Sequence, residues 1–565
     1  TSDFFKIFWN PLGVFLYRAL VDGIASQTNI KSHHESLVTF IPKSGKPQDA
    51  VNGWRPISLL NVDFKIVSAA IANRLKTVLD YLISPVQTAY IPGRFIGENS
   101  RLMYDTIEFV NATSSSGVVM AVDFEAAFDT VSWEFLSEAL EIYNFGPFYK
   151  AIIKSFYLSS NNYSRILLDG ILGDKVYMGR GIRQGDPLSG YLFNLVMEPL
   201  TNQIVESRNI RGIHVNSQTE ARISQYADDL ILFLQPDPVS IKSALDDLQS
   251  FTEVSGLRIN VEKTNCLPIG GSYDTAFLSD LGLKVVNELK VLGIIYNNSN
   301  RDITRININE ILPKLTREIS QWKRRSLTLV GKITVVKAML ISKLVHIFTS
   351  LPNPSDDTIK TINKILFSYV WGDKPDKIKR DRLVQNYDRG GLRMVNVEAF
   401  IKSLKTTWLK RLYWAKSNSI WAQHAKGILP VVEDLVCYGS VMLRHTAKNN
   451  IKNKFWSDVV GAWGDFYACL KPTVSEVLTD KLWFSDYTKF KKSTIKSWND
   501  KGLRFIADLY DSDTGRLRSL NTLKSKFNVK MTFLCHASLM RSMNIEDHLS
   551  SDDKIVHPIL PFKIT

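Results

Sequence analysis

Gln225-Tyr226-Ala227-Asp228-Asp229-Leu230 sets two carboxylates side by side inside an otherwise apolar segment. Neighbouring carboxylates raise each other's pKa unless a cation lies between them, and apolar flanks prevent water from dispersing their charge. A hard divalent ion is the natural occupant, whereas a lone pair of this kind is usually a solvated turn. A third acid shifts the balance. Asp123 stands at the exit of the apolar run Gly117–Phe124, the same setting as the pair. If the strands carrying them are central neighbours, Asp123, Asp228 and Asp229 converge on the same ions.

The elements around these acids can be read from periodicity and turn chemistry. Leu230–Leu234 has the length of a buried strand and Ile223–Tyr226 is β-prone, so the acid pair falls at a tight reversal between two strands. Leu37–Pro42 and Trp54–Leu59 are two more strands. Lys43 and Lys46 lie in the loop between them and Arg55 on the second, which makes a basic hairpin suited to gripping phosphates. Asn61–Leu82 is an amphipathic helix with Phe64, Val67, Ile71, Leu75, Val78 and Leu79 on one face. The loop Tyr90–Arg94 presents Arg94, and Phe128-Asp129 leads into a helix with Phe135, Leu136 and Leu140 at helical intervals. In Gly181–Ser189, Asp186 can cap and Pro187 suits a first helical position, so Arg183 and Gln184 stand just before a helix, where a flat ligand such as a base pair could be checked. A helix over 239–255 is stopped by Gly256, Leu257–Thr264 carries Lys263, and Lys290–Ile294 reads as a short strand turn. Residues 1–36, with Phe4, Phe5, Phe8, Trp9, Phe15 and Tyr17, read as a packed helical entry, and long helices with basic faces begin near residue 301.

Composition narrows the class. With 565 residues, 45% hydrophobic and 22% charged, the chain should fold as several modules. A net charge of +14 favours a polyanionic partner, nucleic acid before membrane. No uncharged apolar run reaches the ~20 residues that span a bilayer. Cys266, Cys437, Cys469 and Cys535 are scattered and form no metal-binding pair; Cys535-His536 reads as core packing. The first residues show neither an initiator Met nor a signal-peptide pattern and read as a cut from a longer polypeptide. Towards the C-terminus, Trp483-Phe484, Lys489–Lys492 and Trp498 fit two readings: aromatics that stack bases beside lysines that hold phosphates, or helix cores with snorkelling lysines.

Taken in order, these segments resemble the reverse transcriptase domain of non-LTR retrotransposons, the long interspersed elements. The strings are IPKSGKPQDAVNGWRPISLLN from Ile41, ISPVQTAYIPGR from Ile83, AVDFEAAFDTVSW from Ala121, GIRQGDPLSGYLFNLVMEPL from Gly181, SQYADDLILF from Ser224, SGLRINVEKTN from Ser255 and LKVLGI from Leu289. A looser match continues through WKRRSLTLVGKITVVKAMLISKLVH from Trp322 and RGGLRMVN from Arg389. The resemblance implies an α+β right-hand polymerase, with fingers and palm over 1–300, a helical thumb over 301–380 and a helical, basic region over 381–565. It implies RNA-directed DNA synthesis from dNTPs and a DNA primer or target on an RNA template. Asp123, Asp228 and Asp229 would bind two Mg²⁺, with Mn²⁺ able to substitute. Lys43, Lys46 and Arg55 would hold the triphosphate, Phe128 would gate the sugar, and Gln184 and Gly185 would border the nascent pair. Lys263 would protonate pyrophosphate; Arg94, Tyr226, Leu292 and Gly293 would contact template or primer.

Ala126 stands where these elements often carry a Lys, a change that leaves metal binding untouched. The family also implies an endonuclease module N-terminal to this chain, the element's own RNA as a ribonucleoprotein partner, and residence in nucleus and cytoplasm. The chain alone should then extend a primer without cutting its target. The alternatives are a group II intron-type maturase, which normally adds a Cys-rich tail; an RNA-dependent RNA polymerase, which would not want a bulky Phe128; and a catalytically silent RNA-binding remnant, which would be expected to have lost an acid.

Overall fold

Strand-length apolar runs pair here through the middle of a sheet, and this brings the acids to a common rim. The computed structural model describes residues 2–26, 30–43, 47–216, 219–271, 273–432, 435, 440–468, 492–511 and 517–542. The chain divides into two compact units, Thr1–Asn300 and Arg301–Thr565.

The first unit opens with helices α1 (Ser2–Ile7) and α2 (Trp9–Ala25). They form as expected but bury no residue, and Phe8, Trp9, Phe15 and Tyr17 are exposed, so the entry is helical without being packed. Aromatic spacing specifies a helix face, not what covers it. Strands β1 (Glu35–Pro42) and β2 (Trp54–Leu59) pair antiparallel, with Ile41 opposite Arg55. Helix α3 (Val62–Leu82) buries Phe64, Val67, Ile71, Leu75 and Leu79, while Val78 lies off the buried stripe and is exposed. Then come α4 (Ile96–Ala112), β3 (Ser116–Val122), α5 (Ala127–Thr130), α6 (Trp133–Ile142), α7 (Pro147–Phe156), β4 (Tyr163–Leu168) and β5 (Ile171–Tyr177). The first sheet has the order β2-β1-β4-β5, with β4 parallel to β1.

The chain continues through α8 (Ser189–Glu206), the short pair β6 (Ile213–His214) and β7 (Glu220–Ala221), β8 (Ile223–Tyr226), β9 (Asp229–Leu234), α9 (Pro238–Ser255), β10 (Asn265–Gly270), α10 (Ala276–Asp280), β11 (Lys284–Val285), β12 (Glu288–Val291) and β13 (Ile294–Asn297). Gly256, at φ 78°, ends α9. Leu292 and Gly293, at φ 48° and 81°, form a two-residue turn between β12 and β13; positive φ at both positions is what a type I′ hairpin requires. The second sheet has the order β11-β10-β3-β9-β8 and is antiparallel except between β10 and β11. Central β3 places Val118, Val119 and Met120 wholly out of water, each contributing roughly 1.5–3 kcal/mol. Val122 of β3 lies opposite Leu230 of β9, so Asp123 and Asp229 emerge at the same end of the sheet. Two sheets with helices packed around them make this unit α+β, the expected fold class.

The second unit is helical, with Ile303–Lys323, Leu329–Val335, Ser342–Ser350, Asp356–Trp371, Val397–Tyr413 and Lys454–Tyr467 among its helices. Buried Lys405 donates to the Phe348 carbonyl at 2.7 Å and to that of Leu351, and Trp408 Nε1 donates to the Thr349 carbonyl at 2.8 Å. The carbonyls that end the Ser342–Ser350 helix are thereby satisfied. Residues on both sides of 380 share this core, and the two-unit division has no boundary there. Trp408, Trp456, Trp463 and Trp498 are buried, so for these the core reading holds. Cys535 packs against the cluster of Trp498, Leu503 and Leu523. Trp483-Phe484, Lys489–Lys491, Cys437 and Cys469 lie outside the described residues. Among the described residues no single helix is long and apolar enough to cross a membrane.

Glu198 of α8 is 2% exposed and accepts the Ser84 N–H at 2.8 Å, just beyond the end of α3. Burial pushes its carboxyl up to about 7, with the Ser84 N–H and Arg94 opposing. A carboxyl raised above its unfolded value contributes stability that is full below about pH 4.5 and is lost as pH rises through 7. The loss amounts to about 3 kcal/mol. Glu198→Gln keeps the acceptor for Ser84 and should flatten this part of the stability profile between pH 5 and 8. Thermal melting of parent and variant across that range checks it, and parallel profiles would refute it.

Candidate active site

The Tyr226–Asp229 reversal is as tight as expected. Tyr226 pairs with Asp229, and Ala227-Asp228 make the turn, with Ala227 held at φ 55°. Asp123 follows β3 directly, and its backbone is pinned from the side: Asn260 N–H donates to the Asp123 carbonyl at 2.8 Å, and Glu125 N–H to that of Arg258 at 2.8 Å. The segment after α9 is thus laid along the exit of β3, which brings Lys263 Nζ to 3.0 Å from Asp123 Oδ2.

Charge is concentrated at this rim. Burial pushes the Asp228 carboxyl up; its own backbone N–H opposes this, Asp123 adds to it, and the Arg55 guanidinium lowers it. Asp229 is pushed up to about 6, first by burial and then by Asp228 and Asp123. Among the described residues no three His, Cys, Asp or Glu side chains form a group that could hold an ion unaided. The donor set nevertheless suits a hard cation. All three acids are oxygen donors, the ammonium of Lys263 already occupies a cation's place beside Asp123, and Mg²⁺ prefers one or two carboxylates plus substrate phosphates to a closed protein cage.

A cavity of about 100 Å³ opens beside the acids, lined by Asp123, Asp229, Lys263, Asn265, Leu289 and Val291 among others. It carries the site to β12 and the Leu292–Gly293 turn. That hairpin is fixed from behind: Tyr296 OH donates to the Ser100 carbonyl at 3.3 Å, Asn300 Nδ2 donates to that of Tyr104 at 3.0 Å, and Arg101 and Asp105, both fully buried, pair at 3.0 Å.

Gly181–Ser189 closes another side. Gly181 N–H and Ile182 N–H donate to the Val131 and Phe128 carbonyls, each at 2.8 Å, and Ser58 N–H donates to the Gln184 carbonyl at 2.9 Å. Phe128, Gln184 and the Arg55 strand are drawn together this way. Gly185, at φ 113°, is required for it: a Cβ there would lie 2.8 Å from the Ser58 carbonyl. Asp186, expected only to cap α8, does accept the Leu188 N–H at 3.3 Å, but it is also a buried anchor that takes Ser68 Oγ of α3 and Tyr157 OH. Helix α8 itself begins at Ser189, two residues after Pro187.

Phe128 stacks on Phe193 at 4.5 Å and meets the edge of Tyr90 at 6.5 Å. Lys43 is close enough to lower the Asp129 carboxyl, which burial raises. Tyr226 is half-buried next to the turn, and Lys46 lies outside the described residues. Arg94, expected to contact template, is engaged within the protein. Its guanidinium donates to the carbonyls of Ser84, Ile83 (2.8 Å) and Gln87 (2.6 Å) and pairs with Asp80 at 3.1 Å, so it organises its own loop.

Two residues near the acids have no counterpart among the expected site residues. Tyr90, at φ 60°, has its hydroxyl pKa raised by burial, Asp228 and Tyr226. Gln87 is 1% exposed and bonds to the turn itself. Both fall in a loop whose composition signals only Pro and Gly punctuation, and Gln87, between Val86 and Thr88, carries no local signal of its burial.

Residues 41–296 match the family model described as "Reverse transcriptase (RNA-dependent DNA polymerase)". The "Transposon TX1 uncharacterized 149 kDa protein" of Xenopus laevis is 28% identical over 448 residues, which cover 77% of this chain and 33% of that protein. The "Retrovirus-related Pol polyprotein from type-2 retrotransposable element R2DM" of Drosophila melanogaster is 25% identical over 393 residues, 66% of this chain and 35% of that one. The chain therefore spans about a third of the length of these relatives. A solved telomerase from Candida tropicalis, in complex with a fragment of telomeric RNA, is 13% identical and covers 74% of this chain and 68% of its own, at a TM-score of 0.38, too slight a likeness to bear on the site.

Two glycines with positive φ separate sterics from conformation. Gly185→Ala must push Ser58 away as well as hold φ 113°, whereas Gly93→Ala, at φ 84°, meets nothing within 4 Å. Gly93→Ala should cost about 1 kcal/mol and Gly185→Ala at least about twice that. Urea unfolding of the two variants gives the comparison, and equal costs would show that the approach to Ser58 does not matter.

Proposed function

We propose that this chain is the reverse transcriptase region of a non-LTR, LINE-type retrotransposon, an RNA-directed DNA polymerase that extends a DNA 3′-hydroxyl on an RNA template during target-primed reverse transcription. The observation that carries this reading is the convergence of Asp123, Asp228 and Asp229 at one rim of the central sheet, with Lys263 against Asp123. Reverse transcriptases use divalent metal ions, and two Mg²⁺ (or Mn²⁺) held by these three acids would supply the positive charge that stabilises the attacking and leaving oxygens.

The chain's own residues do the rest. Arg55 faces the acids and, with Lys43 and Lys46, grips the triphosphate as a planar fork beside point charges. Phe128, held between Phe193 and Tyr90, stands where a 2′-hydroxyl would collide with it. Gln184 and Gly185, tied to β2 through Ser58, border the nascent pair, and Tyr226 with the Leu292–Gly293 turn supports the primer end. Lys263 gives up a proton to the departing pyrophosphate; its ammonium is already poised over a carboxylate. RNA template, DNA primer or target and dNTPs are the substrates. The element's own RNA and an endonuclease module preceding this region complete a ribonucleoprotein working between cytoplasm and nucleus.

Primer extension on an RNA template with dNTPs and Mg²⁺ tests this. Asp228→Asn should reduce product by about 10³-fold, equivalent to several kcal/mol of transition-state stabilisation, while primed template still binds. Chelating the metal should abolish extension, and restoring Mg²⁺ should recover it. Phe128→Ala should admit rNTPs roughly 10- to 100-fold more readily relative to dNTPs. A folded parent that binds primed template and adds no nucleotide would instead favour a silent RNA-binding remnant.

A further inference from the structure

We propose that Gln87 is a positioning residue for polymerisation, one that locks the catalytic turn by holding the Ala227 peptide from a neighbouring strap. Ala227 must keep φ 55°, a left-handed conformation that strains a non-glycine residue, and the directions of Asp228 and Asp229 depend on it. Both polar groups of this residue are taken by side-chain amides. Gln87 Oε1 accepts the Ala227 N–H at 2.9 Å, and the Ala227 carbonyl accepts from Gln225 Nε2 at 3.2 Å and from Gln87 Nε2 at 3.4 Å. Gln87 and Gln225 are each 1% exposed, so no water competes.

The strap that brings Gln87 here behaves as an additional strand. Residues 86–88 lie parallel to β8: Gln225 N–H donates to the Val86 carbonyl at 2.9 Å and Thr88 N–H to the Gln225 carbonyl at 3.0 Å. Arg94 and Asn194 fasten the strap at the Gln87 and Ala89 carbonyls, at 2.6 and 2.8 Å. Gln87 touches no reacting atom; it acts through the backbone between two of the acids' neighbours.

The kinetic consequence rests on the polymerase reading, whereas the clamp can be measured without it. In the full chain, Gln87→Met keeps the length and removes both hydrogen bonds to Ala227, together with the one that Gln87 Oε1 accepts from the Ala89 N–H at 3.0 Å. Hydrogen exchange over 224–230 should speed at the Ala227 amide by about 10-fold or more, the loss expected for one buried bond, while Leu230–Leu234 stays protected. Nucleotide addition should show kcat reduced by about 10- to 100-fold with KM for dNTP and Kd for primed template within about threefold, the split expected when an interaction matters in the transition state. Gln87→Glu retains the acceptor and should restore part of the protection; it also serves if the Met variant fails to fold. Asn194→Ala loosens the same strap at Ala89 without touching Ala227 and should leave kcat near parent. Unchanged exchange in Gln87→Met overturns the clamp. Faster exchange with parental kcat, or an equal loss of kcat in Asn194→Ala, overturns the positioning role. Faster exchange in a chain whose parent adds no nucleotide upholds the clamp and removes the polymerase reading instead.

Discussion

Mutual repulsion among three carboxylates at the end of a hydrophobic sheet is the constraint from which the rest of the site follows. Buried β3 and β9 bring Asp123 and Asp229 to one edge with little freedom to separate, and the turn adds Asp228. Partial burial then keeps water from relieving them, as the raised Asp229 carboxyl records. Such a cluster persists only if cations approach and if the backbone is too rigid to let the acids swing apart. Lys263 and Arg55 answer the first need. The second is answered by hydrogen bonds from flanking segments, those of Asn260 on Asp123 and of Gln87 on Ala227, joined on Ala227 by the Gln225 amide of β8 itself.

The parts of this site that were legible in the sequence are those whose signal is local. Apolar runs ending in Asp123 and flanking Asp228-Asp229 specify strands, and the short gap between the second pair specifies their reversal. The order of the motifs then indicated which strands meet. What the sequence did not disclose depends on contacts between distant segments. Asp186 has the spacing of a cap and does bond to Leu188, but its joint with Ser68 and Tyr157 is invisible until α3 and α7 are placed. Arg94 looked like a cation offered to a ligand because nothing local shows that the carbonyls ending α3 would claim it. Aromatic spacing in Trp9–Ala25 predicted a helix correctly and its burial incorrectly. A helical period states which residues share a face; only a neighbour decides whether that face is inside.

The helical unit teaches the same lesson through a lysine. Lys405 has the type of a solvated or phosphate-binding residue, yet it is buried with its ammonium on the carbonyls of Phe348 and Leu351 and 4.4 Å from the centre of the Phe455 ring. Its charge is used where the Ser342–Ser350 helix leaves carbonyls unpaired and where the negative end of that helix dipole lies. Net positive charge in this chain is therefore not a direct count of groups available to a polyanion.

The close approach of Gly181 to Asp129 and of Gly185 to Ser58 bears on how such elements age. A Cβ at either position would come within 3 Å of a backbone oxygen, so there is no room for even the smallest replacement without moving the chain. Once a copy stops being selected, its codons drift without regard to chemistry, and every single-base change that alters the first or second position of a glycine codon introduces a larger side chain or a stop. Intact aspartates alone are then a generous criterion for a living copy. These two glycines, which carry no charge and bind no ion, record inactivation alongside the acids.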